Sequence, residues 1–381
     1  MNNQLLTPSG APVLIVGGGL AGLYAAYRLQ QANIPYVLWE AQPRWGGRIL
    51  SLLDPTDSSM GMDLGPTWFW PHQTRMQGLC AELGLRVFEQ PVKGDLLYQV
   101  APGQAPQRSA GAGTMLSYRL EGGMQTLISA LVRRIKPQAL NLSHALTSLS
   151  RDESGWTATA FHQGEALHFQ AQQLIVAAPP RKVAGLLAPF LPRRLQGELL
   201  ATPTWMAAQA KFIAIYDTPF WRNEGLAGQA FSRVGPLVEI HDASSTPRGG
   251  HALFGFVGVP AHLRRQHDHA SIEAACLAQL TTIFGPAASL PLAISLKDWA
   301  QDEWVVSDRD LFEPPQHPAL NLAPWSAELR RLGLHLVGSE YAENEAGYLE
   351  GALCAVESFL DAAIDGNSTK LITLKRNAQT A

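Results

Sequence analysis

Val13-Leu14-Ile15-Val16-Gly17-Gly18-Gly19-Leu20-Ala21-Gly22 is the stretch that decides the fold of this chain. Its four leading apolar residues predict a buried strand, and the glycines predict a tight turn into a helix over 23–31. A second apolar run, over 36–39, ends in the acid Glu40. A strand, a glycine-rich turn, a helix, a second strand and an acid in this order predict a βαβ unit that binds an adenine dinucleotide.

The three spaced glycines have separate physical tasks in such a turn. Gly17 permits the sharp turn out of the strand, Gly19 lets the backbone approach a pyrophosphate, and Gly22 lets the helix pack closely on the strand. The helix N-terminus offers N–H groups and a positive dipole end to the phosphates. Glu40 lies 23 residues beyond Gly17, where an acid binds the ribose hydroxyls, and its charge disfavours a 2′-phosphate.

The residues after Glu40 favour FAD over NAD. Two arginines, Arg44 and Arg48, follow the ribose acid. Arginine suits a pyrophosphate because its planar fork donates two hydrogen bonds at once. Gly46 and Gly47 let the backbone fold over a bulky planar group. A basic turn in solvent is the alternative explanation of the same spacing.

With these residues in place, the sequence resembles the flavin-containing amine oxidase family, which includes monoamine and polyamine oxidases. The resemblance extends from residue 13 into the last predicted helix, so it covers nearly the whole chain. The flavin motifs at the two ends are highly specific, and the middle is looser. The further matching segments are residues 62–68, 121–124, 176–180, 211–222, 336–340 and 347–352.

The resemblance implies an α/β fold, with a Rossmann-type FAD-binding domain interleaved with a mixed-sheet substrate domain. The pattern of the chain agrees, because a buried strand is predicted over 334–337 and a long helix over 348–364, far from the opening strand. The predicted FAD-binding domain comprises residues 1–70, 118–200 and 333–381, and the predicted substrate-binding domain comprises residues 71–117 and 201–332.

The resemblance also implies which residues contact FAD. Asp308 stands where animal monoamine oxidases have the cysteine that bonds the flavin, so we expect FAD to be bound non-covalently. The last helix, expected to open near Gly351, would point its positive end at the flavin. The predicted FAD contacts are Gly17, Gly19, Leu20, Ala21, Gly22, Glu40, Ala41, Arg44, Gly47, Arg48, Gly65, Pro66, Thr67, Trp68, Leu146, Gly338, Glu340, Gly347, Tyr348 and Leu349.

Lys211 is the first candidate catalytic residue. It stands alone in an apolar predicted strand over 210–216, a pattern that an outward-facing edge lysine would also produce. A lysine drawn into apolar surroundings loses its hydration, and its pKa falls. The resemblance implies that this lysine holds a water near flavin N5.

Tyr348 and Trp299 are the other candidate catalytic residues. The resemblance implies that Tyr348 forms one wall of an aromatic cage that orients an amine, and that Trp299 stacks near the flavin. Arg309 stands where the second cage aromatic is expected, and the sequence leaves open whether Trp304 or Phe312 replaces it.

The composition of the chain limits the kinds of partner that we expect this protein to bind. A chain of 381 residues is long enough for two domains, and a net charge of −3 does not indicate nucleic acid or an acidic membrane as partner. The three widely spaced cysteines, Cys80, Cys276 and Cys354, indicate neither a zinc site nor a disulfide framework. Residues 1–10 do not resemble a signal peptide, and no apolar run approaches the roughly 20 residues that span a bilayer. We therefore expect a cytoplasmic protein with no metal and no membrane partner.

These observations predict an FAD-dependent enzyme that oxidises an amine C–N bond by hydride transfer to flavin N5. Its partners would be a small amine and molecular oxygen, and its products an imine or aldehyde and hydrogen peroxide. Two alternatives stay open. The incomplete cage favours an FAD-dependent desaturase or isomerase acting on an apolar substrate. The other is a flavin-binding protein without turnover, against which the intact C-terminal flavin motif argues.

Overall fold

The computed structural model describes residues 13–111 and 115–365, with side chains up to residue 361. The predictions about residues 1–10 and the outermost parts of the predicted FAD-binding domain lie outside the described residues. The described chain is a mixture of helices and strands, as predicted.

The strands follow in chain order. They are β1 (Val13–Val16), β2 (Tyr36–Trp39), β3 (Ser51–Leu53), β4 (Gly61–Asp63), β5 (Val87–Glu89), β6 (Asp95–Gln99), β7 (Gln107–Ser109), β8 (Tyr118–Leu120), β9 (Leu140–Asn141), β10 (Ala145–Asp152), β11 (Gly155–His162), β12 (Glu165–Ala171), β13 (Gln173–Val176), β14 (Ala210–Tyr216), β15 (Leu226–Ser232), β16 (Leu237–Asp242), β17 (His251–Val257), β18 (Ala293–Asp298) and β19 (Leu334–Leu336).

The α-helices lie between groups of these strands along the chain. They are α1 (Leu20–Gln31), α2 (Thr74–Leu83), α3 (Gln125–Arg134), α4 (Pro180–Leu187), α5 (Arg193–Ala201), α6 (Phe220–Asn223), α7 (Ala261–Arg264), α8 (His269–Phe284), α9 (Asp308–Phe312), α10 (Ser326–Leu332) and α11 (Leu349–Asp365).

The chain divides into two compact units. Unit 1 comprises residues 1–47, 128–205 and 315–381, and unit 2 comprises residues 48–127 and 206–314. Residues 48–70 and 118–127 pack with unit 2, whereas the sequence prediction groups them with the FAD-binding domain. The two units are defined by how the chain packs, whereas the predicted domains are defined by the ligand that each is expected to bind. The ligand of each domain therefore stays a prediction.

Unit 1 is built on a five-stranded parallel sheet with the order β19-β13-β1-β2-β9. All four residues of β1 and of β2 are buried, as expected for strands covered on both faces. Helices α1 and α11 pack against each other. A second sheet, β10-β11-β12, is antiparallel and contributes Trp156 and Phe169 to the same core.

Unit 2 is built on a mixed seven-stranded sheet with the order β18-β14-β17-β16-β15-β6-β7. Strand β14 lies between β17 and β18, so its side chains alternate between two covered faces. Phe212, Ala214 and Tyr216 enter the core that includes α8 residues, whereas Ile213 and Ile215 enter a second core with residues of β4 and β17. Lys211 lies two residues before Ile213, so its side chain is on the same face of β14 as Ile213 and Ile215.

Helix α1 begins away from its predicted position, and glycines lie beside the starts of two other helices. Helix α1 begins at Leu20, three residues earlier than predicted, because Gly19 already serves as its N-cap. Helix α3 begins at Gln125, because Gly122 and Gly123 adopt φ values of +79° and +80° that a helix cannot contain. The last helix begins at Leu349, two residues before Gly351.

Candidate functional site

The glycine-rich turn of unit 1 has the geometry that its predicted tasks require. Gly17 has φ +108°, and a Cβ there would lie 2.4 Å from the Ala177 carbonyl oxygen. A Cβ on Gly22 would lie 1.8 Å from the Gly17 carbonyl oxygen, so only glycine permits this approach of α1 to β1. A Cβ on Gly19 would meet no protein atom closer than 3.9 Å. Protein packing therefore requires glycine at 17 and 22, and leaves the space at Gly19 open for a ligand.

Glu40 closes this turn from the end of β2. Its side chain is 6% exposed, and its two carboxylate oxygens accept hydrogen bonds from the Gly18 N–H at 2.5 Å and the Gln42 N–H at 2.8 Å. The Gly46 N–H donates to the Gly18 carbonyl at 2.9 Å, and the Arg44 guanidinium donates to the Gly47 carbonyl at 2.7 Å. The segment after Glu40 therefore folds back onto the glycine turn through its own backbone.

The C-terminal motif of unit 1 is also held by short polar contacts. Gly338 and Gly347 have φ values of +143° and +88°. The Gly347 N–H donates to the Ser339 carbonyl at 3.0 Å, and this contact closes a loop between β19 and α11. Glu340 is 1% exposed and accepts a hydrogen bond from the Trp205 N–H at 3.3 Å. A Cβ on Gly347 would lie 2.9 Å from the Trp205 side chain.

Tyr348 belongs to a stack of three aromatic rings in unit 1. The His317 ring lies 3.7 Å from the Trp205 ring and 4.9 Å from the Tyr348 ring, between centroids. His317 Nδ1 lies 3.3 Å from the Ala346 carbonyl oxygen, and its Nε2 lies 3.2 Å from the Tyr348 hydroxyl. If Nδ1 carries the proton, Nε2 accepts from the tyrosine. The sequence reasoning missed His317 and Trp205, because neither has a motif and only the fold brings them to Tyr348.

Three further residues of unit 1 that are predicted to contact FAD lie on or next to strands and helices. Leu146 lies on β10 opposite Ala160 and packs against the core of unit 1. Ala41 directly follows Glu40, and Leu349 is the first residue of α11. The contacts of Leu146, Ala41 and Leu349 with FAD stay predictions.

Lys211 of unit 2 is buried, and the edge-lysine alternative is wrong. Its side chain is 2% exposed, because β14 has a neighbouring strand on each side. Its ammonium donates to the Gly65 carbonyl at 3.2 Å and to the Thr67 hydroxyl at 2.5 Å, and lies 3.8 Å from the centre of the Phe254 ring. Burial lowers the pKa of Lys211 to about 7, with the Asp63 charge opposing this effect and the Arg119 charge adding to it.

The segment 63–68 brings several predicted residues together within unit 2. The Trp299 indole N–H donates to the Leu64 carbonyl at 3.0 Å, next to the carbonyl that accepts from Lys211. A Cβ on Gly65 would lie 2.0 Å from the Arg48 carbonyl oxygen, so this turn also requires glycine. Trp68 donates its indole N–H to Gln90 at 2.7 Å.

Asp63 and Arg119 are charged residues of this region that the sequence reasoning missed. They are 2% and 1% exposed. Burial raises the pKa of Asp63, and the charges of Arg119 and Lys211 oppose that rise. Local sequence patterns do not identify either residue, since β4 and β8 are three-residue strands whose burial is evident only from the fold.

Arg309 lies on α9 and forms an ion pair with Glu313, the residue that follows the helix. Its guanidinium contacts the Glu313 carboxylate at 2.6 Å, four residues on. Trp304 and Phe312, the candidate replacements for the cage wall, are 40% and 71% exposed. Phe312 stacks on His262, with ring centroids 5.7 Å apart.

Comparison with known proteins decides the family. The sequence profile described as "Flavin containing amine oxidoreductase" matches residues 104–355, and a profile for an NAD(P)-binding Rossmann-like domain matches residues 15–83. The chain belongs to the flavin-containing amine oxidoreductases. Membership of this family makes the protein an enzyme, a flavin-dependent oxidoreductase, and confirms the predicted resemblance.

Individual proteins match along almost the whole chain. A probable flavin-containing monoamine oxidase A of Dictyostelium discoideum is 24% identical, over 90% of this chain and 94% of its own length. An L-amino acid dehydrogenase of Synechocystis is 25% identical, over 94% of this chain and 96% of its own. The crystal structure of a putrescine oxidase bound to putrescine superposes with a TM-score of 0.76 at 21% identity, covering 93% of this chain and 99% of that one. The last match supports the predicted two-domain fold.

No helix among residues 13–111 and 115–365 is long and apolar enough to cross a membrane.

Proposed function

We propose that this protein is an FAD-dependent oxidase that converts a small primary or secondary amine into a carbonyl compound. For a primary amine the balanced reaction consumes the amine, one O2 and one water, and releases the aldehyde or ketone, ammonia and hydrogen peroxide. FAD, when bound, accepts the hydride from the amine α-carbon and passes the electrons to oxygen.

Unit 1 fits the dinucleotide half of FAD. The open space at Gly19 and the N-terminus of α1 suit a pyrophosphate, because unpaired N–H groups and the helix dipole favour negative charge there. Glu40, anchored by two backbone N–H groups, would bind the ribose hydroxyls. Non-covalent binding is part of this proposal, since Asp308 stands where a bonding cysteine would be expected.

The buried Lys211 is the observation that carries the proposal. An ammonium with a pKa near neutrality exchanges its proton in the pH range in which an enzyme works. Two of its N–H bonds are committed to Gly65 and Thr67, and the third can hold a water. We propose that Lys211 manages the water or oxygen species beside the reacting centre.

Tyr348 is the residue that we propose to orient the amine. Burial and the nearby Glu345 raise the pKa of Tyr348, so its hydroxyl keeps its proton. His317 lies against it, and Trp205 lies behind His317, so the ring is held in place by a stack rather than by a single neighbour. A fixed aromatic ring presents its face to an amine with little entropy cost on binding.

Spectroscopy of the purified protein tests the proposal in two steps. We expect a yellow protein that releases FAD on acid precipitation, whereas a covalently retained flavin would contradict the binding mode. We then expect an amine from a panel of monoamines, diamines and L-amino acids to bleach the flavin under anaerobic conditions. No bleaching by any of them would reject amine oxidation and favour a desaturase or isomerase.

The electron acceptor is tested separately. Stopped-flow mixing of the amine-reduced protein with oxygen should restore the yellow colour within seconds and release hydrogen peroxide. Slow recovery with oxygen, together with fast recovery with a quinone or dye, would identify a dehydrogenase. That outcome matters because one of the similar proteins is an L-amino acid dehydrogenase.

A further inference from the structure

The proposed reaction leaves one proton without an acceptor. An aliphatic amine is mostly an ammonium ion at neutral pH, as a lysine side chain is. Hydride leaves the α-carbon readily only when the nitrogen has a lone pair to share, so the ammonium ion must first lose a proton. Histidine suits this task, because its proton exchange falls closest to neutral pH among the side chains. In unit 1, the ring of His317 lies against Tyr348, the residue proposed to orient the amine.

The fold fixes the position of His317. The segment that carries it is held by Pro318 and Leu320, both of which are buried, and Leu320 belongs to the core of unit 1. The imidazole stacks on the Trp205 ring, with centroids 3.7 Å apart and planes 23° apart. Trp205 in turn packs at Gly347, where an added Cβ would lie 2.9 Å from its side chain. The imidazole therefore has a defined position, even though His317 is an exposed residue.

The contacts of the two ring nitrogens determine where His317 can gain a proton. Nδ1 lies 3.3 Å from the Ala346 carbonyl oxygen, which only accepts hydrogen bonds, so the neutral ring carries its proton on Nδ1. Nε2 then has the lone pair, and the Tyr348 hydroxyl donates to it at 3.2 Å. The hydroxyl oxygen keeps lone pairs for a further donor, such as the N–H of an ammonium ion.

We propose that Tyr348 and His317 form a relay that takes a proton from the ammonium form of the substrate. The proposal rests on the amine-binding role proposed above for Tyr348. One N–H bond of the ammonium ion breaks as the Tyr348 hydroxyl oxygen gains the proton, and the hydroxyl's own proton moves to His317 Nε2. The products are a neutral amine, an unchanged tyrosine and an imidazolium ion, so protons and charge balance. His317 is exposed, so the imidazolium ion can pass its proton to water.

Three acids adjoin the relay. Glu345 lies in the turn before Tyr348, and burial followed by the Glu345 charge raises the pKa of Tyr348, so the hydroxyl passes a proton on and does not stay ionised. The Glu340 carboxylate accepts from the Trp205 N–H at 3.3 Å, and Glu350 is buried in the first turn of α11. A nearby negative charge stabilises an imidazolium ion, and aromatic rings that replace water around the substrate nitrogen lower the pKa of the ammonium ion. Both effects bring the proton affinities of donor and acceptor closer together.

Anaerobic flavin reduction in the FAD-loaded, full-length protein tests this proposal. The probes are the monoamine of the panel that bleaches the flavin fastest and the same amine with two fluorines on its β-carbon, which is a much weaker base. His317→Phe keeps a ring against Trp205 but removes Nε2, and Tyr348→Phe removes only the hydroxyl. At neutral pH we expect the loss of reduction rate in each variant to be about threefold greater with the basic amine than with the fluorinated amine, a moderate difference because water accepts the proton more slowly. At high pH, where the basic amine is already neutral in solution, this difference should vanish.

His267→Phe is the matched control, since His267 is exposed and lies outside the relay. It should leave both reduction rates unchanged. If His317 only packs against Tyr348, each relay variant will lose the same factor with both amines and at every pH, and that result would overturn the proposal. This outcome is distinct from a failure of the proposed function: no bleaching by any amine rejects amine oxidation, whereas bleaching with equal losses rejects the relay.

Histidine NMR supplies a measurement that needs no turnover. The chain has 11 histidines, and in protein labelled with [15N]histidine the signals that disappear in His317→Phe identify His317. We expect the neutral ring to carry its proton on Nδ1, and we expect Tyr348→Phe to shift the Nε2 resonance because it removes the hydrogen bond to that nitrogen. A neutral ring with its proton on Nε2, or an Nε2 resonance that does not respond to Tyr348→Phe, would overturn the proposal.

Discussion

Two regions of the molecule are built in opposite ways. They are the glycine turn of unit 1, residues 17–22, and the lysine centre of unit 2, which comprises Lys211, Asp63, Thr67 and Arg119. The turn is made of backbone and comes from one continuous stretch, closed by Glu40 and a following loop. The lysine centre is made of buried polar side chains that come from β4, β8 and β14 and from the segment after β4. The shape of a site made of backbone depends on excluded volume. The protonation of a site made of buried side chains depends on the balance between burial and nearby charges.

This difference predicts different responses to mutation. One methyl group added to Gly17 or Gly22 overlaps with a backbone carbonyl, which no rotamer change relieves, so the effect should be close to all-or-none. A changed charge in the lysine centre alters a sum of opposing effects, so the effect should be graded and should depend on pH.

The largest effect is expected for Gly22→Ala. The new Cβ would lie 1.8 Å from the Gly17 carbonyl, so α1 must move away from β1. We expect a loss of about 3 kcal/mol in the free energy of unfolding and loss of bound FAD. Denaturant unfolding and FAD content after gel filtration measure both.

Gly197→Ala is the control for that substitution. Gly197 lies in α5 of the same unit, and a Cβ there would meet nothing within 4 Å. Alanine should stabilise the helix by about 0.5–1 kcal/mol and leave FAD content unchanged. Equal losses in both variants would mean that unit 1 is sensitive to any change, and the contrast between the two regions would fail.

The next effect is expected for Lys211→Met. Methionine retains the length and the apolar contacts but removes the ammonium. We expect the rate of flavin reoxidation by oxygen to fall by about 100-fold, within the range for loss of a proton-transfer group, while FAD stays bound. Stopped-flow reoxidation measures it, with the exposed Lys182→Met as the control, and an unchanged rate would remove the role assigned to Lys211.

The same variant should change how stability depends on pH. Lys211 titrates at about 7 in the folded protein, whereas an unfolded lysine titrates at about 10.4. Between these values the unfolded chain binds more protons, so this group makes the free energy of unfolding rise with pH; below pH 7 its full penalty remains. We expect the wild type to gain about 1 kcal/mol per pH unit relative to Lys211→Met over this range. Parallel curves would show that Lys211 is not buried in solution.

The smallest effect is expected for His317→Ala in the aromatic stack. Loss of the ring removes contacts to Tyr348 and Trp205, and an aromatic pair contributes about 0.5–1.5 kcal/mol. We expect KM for the amine to rise by about threefold to tenfold with a smaller change in kcat. Tyr348→Phe, which removes only the hydroxyl, should give a smaller rise. A normal KM for His317→Ala would separate the stack from substrate binding.

The two regions also differ in how far the sequence predicts them. Strands β1 and β2, the turn between them and Glu40 are contiguous, so local rules were sufficient. The burial of Lys211 was ambiguous, because an apolar run with a single lysine does not reveal whether the strand lies inside a sheet or at its edge. Asp63 and His317 could not be found from local patterns, since Asp63 meets Met124 and His317 meets Tyr348 only after long-range folding.

The contacts behind the glycine turn determine where genetic suppressors can arise. A Cβ on Gly47 would lie 3.3 Å from the Gly19 Cα, where two backbones touch and neither residue has a side chain to shorten. A defect there has no compensating substitution in its partner. A Cβ on Gly18 would instead lie 2.5 Å from the Trp45 ring and 2.9 Å from Glu40 Cβ, and both of these are side-chain atoms that a smaller residue lacks. Revertants of a substitution at position 18 should therefore map to positions 45 and 40, whereas defects at position 47 should revert only to glycine.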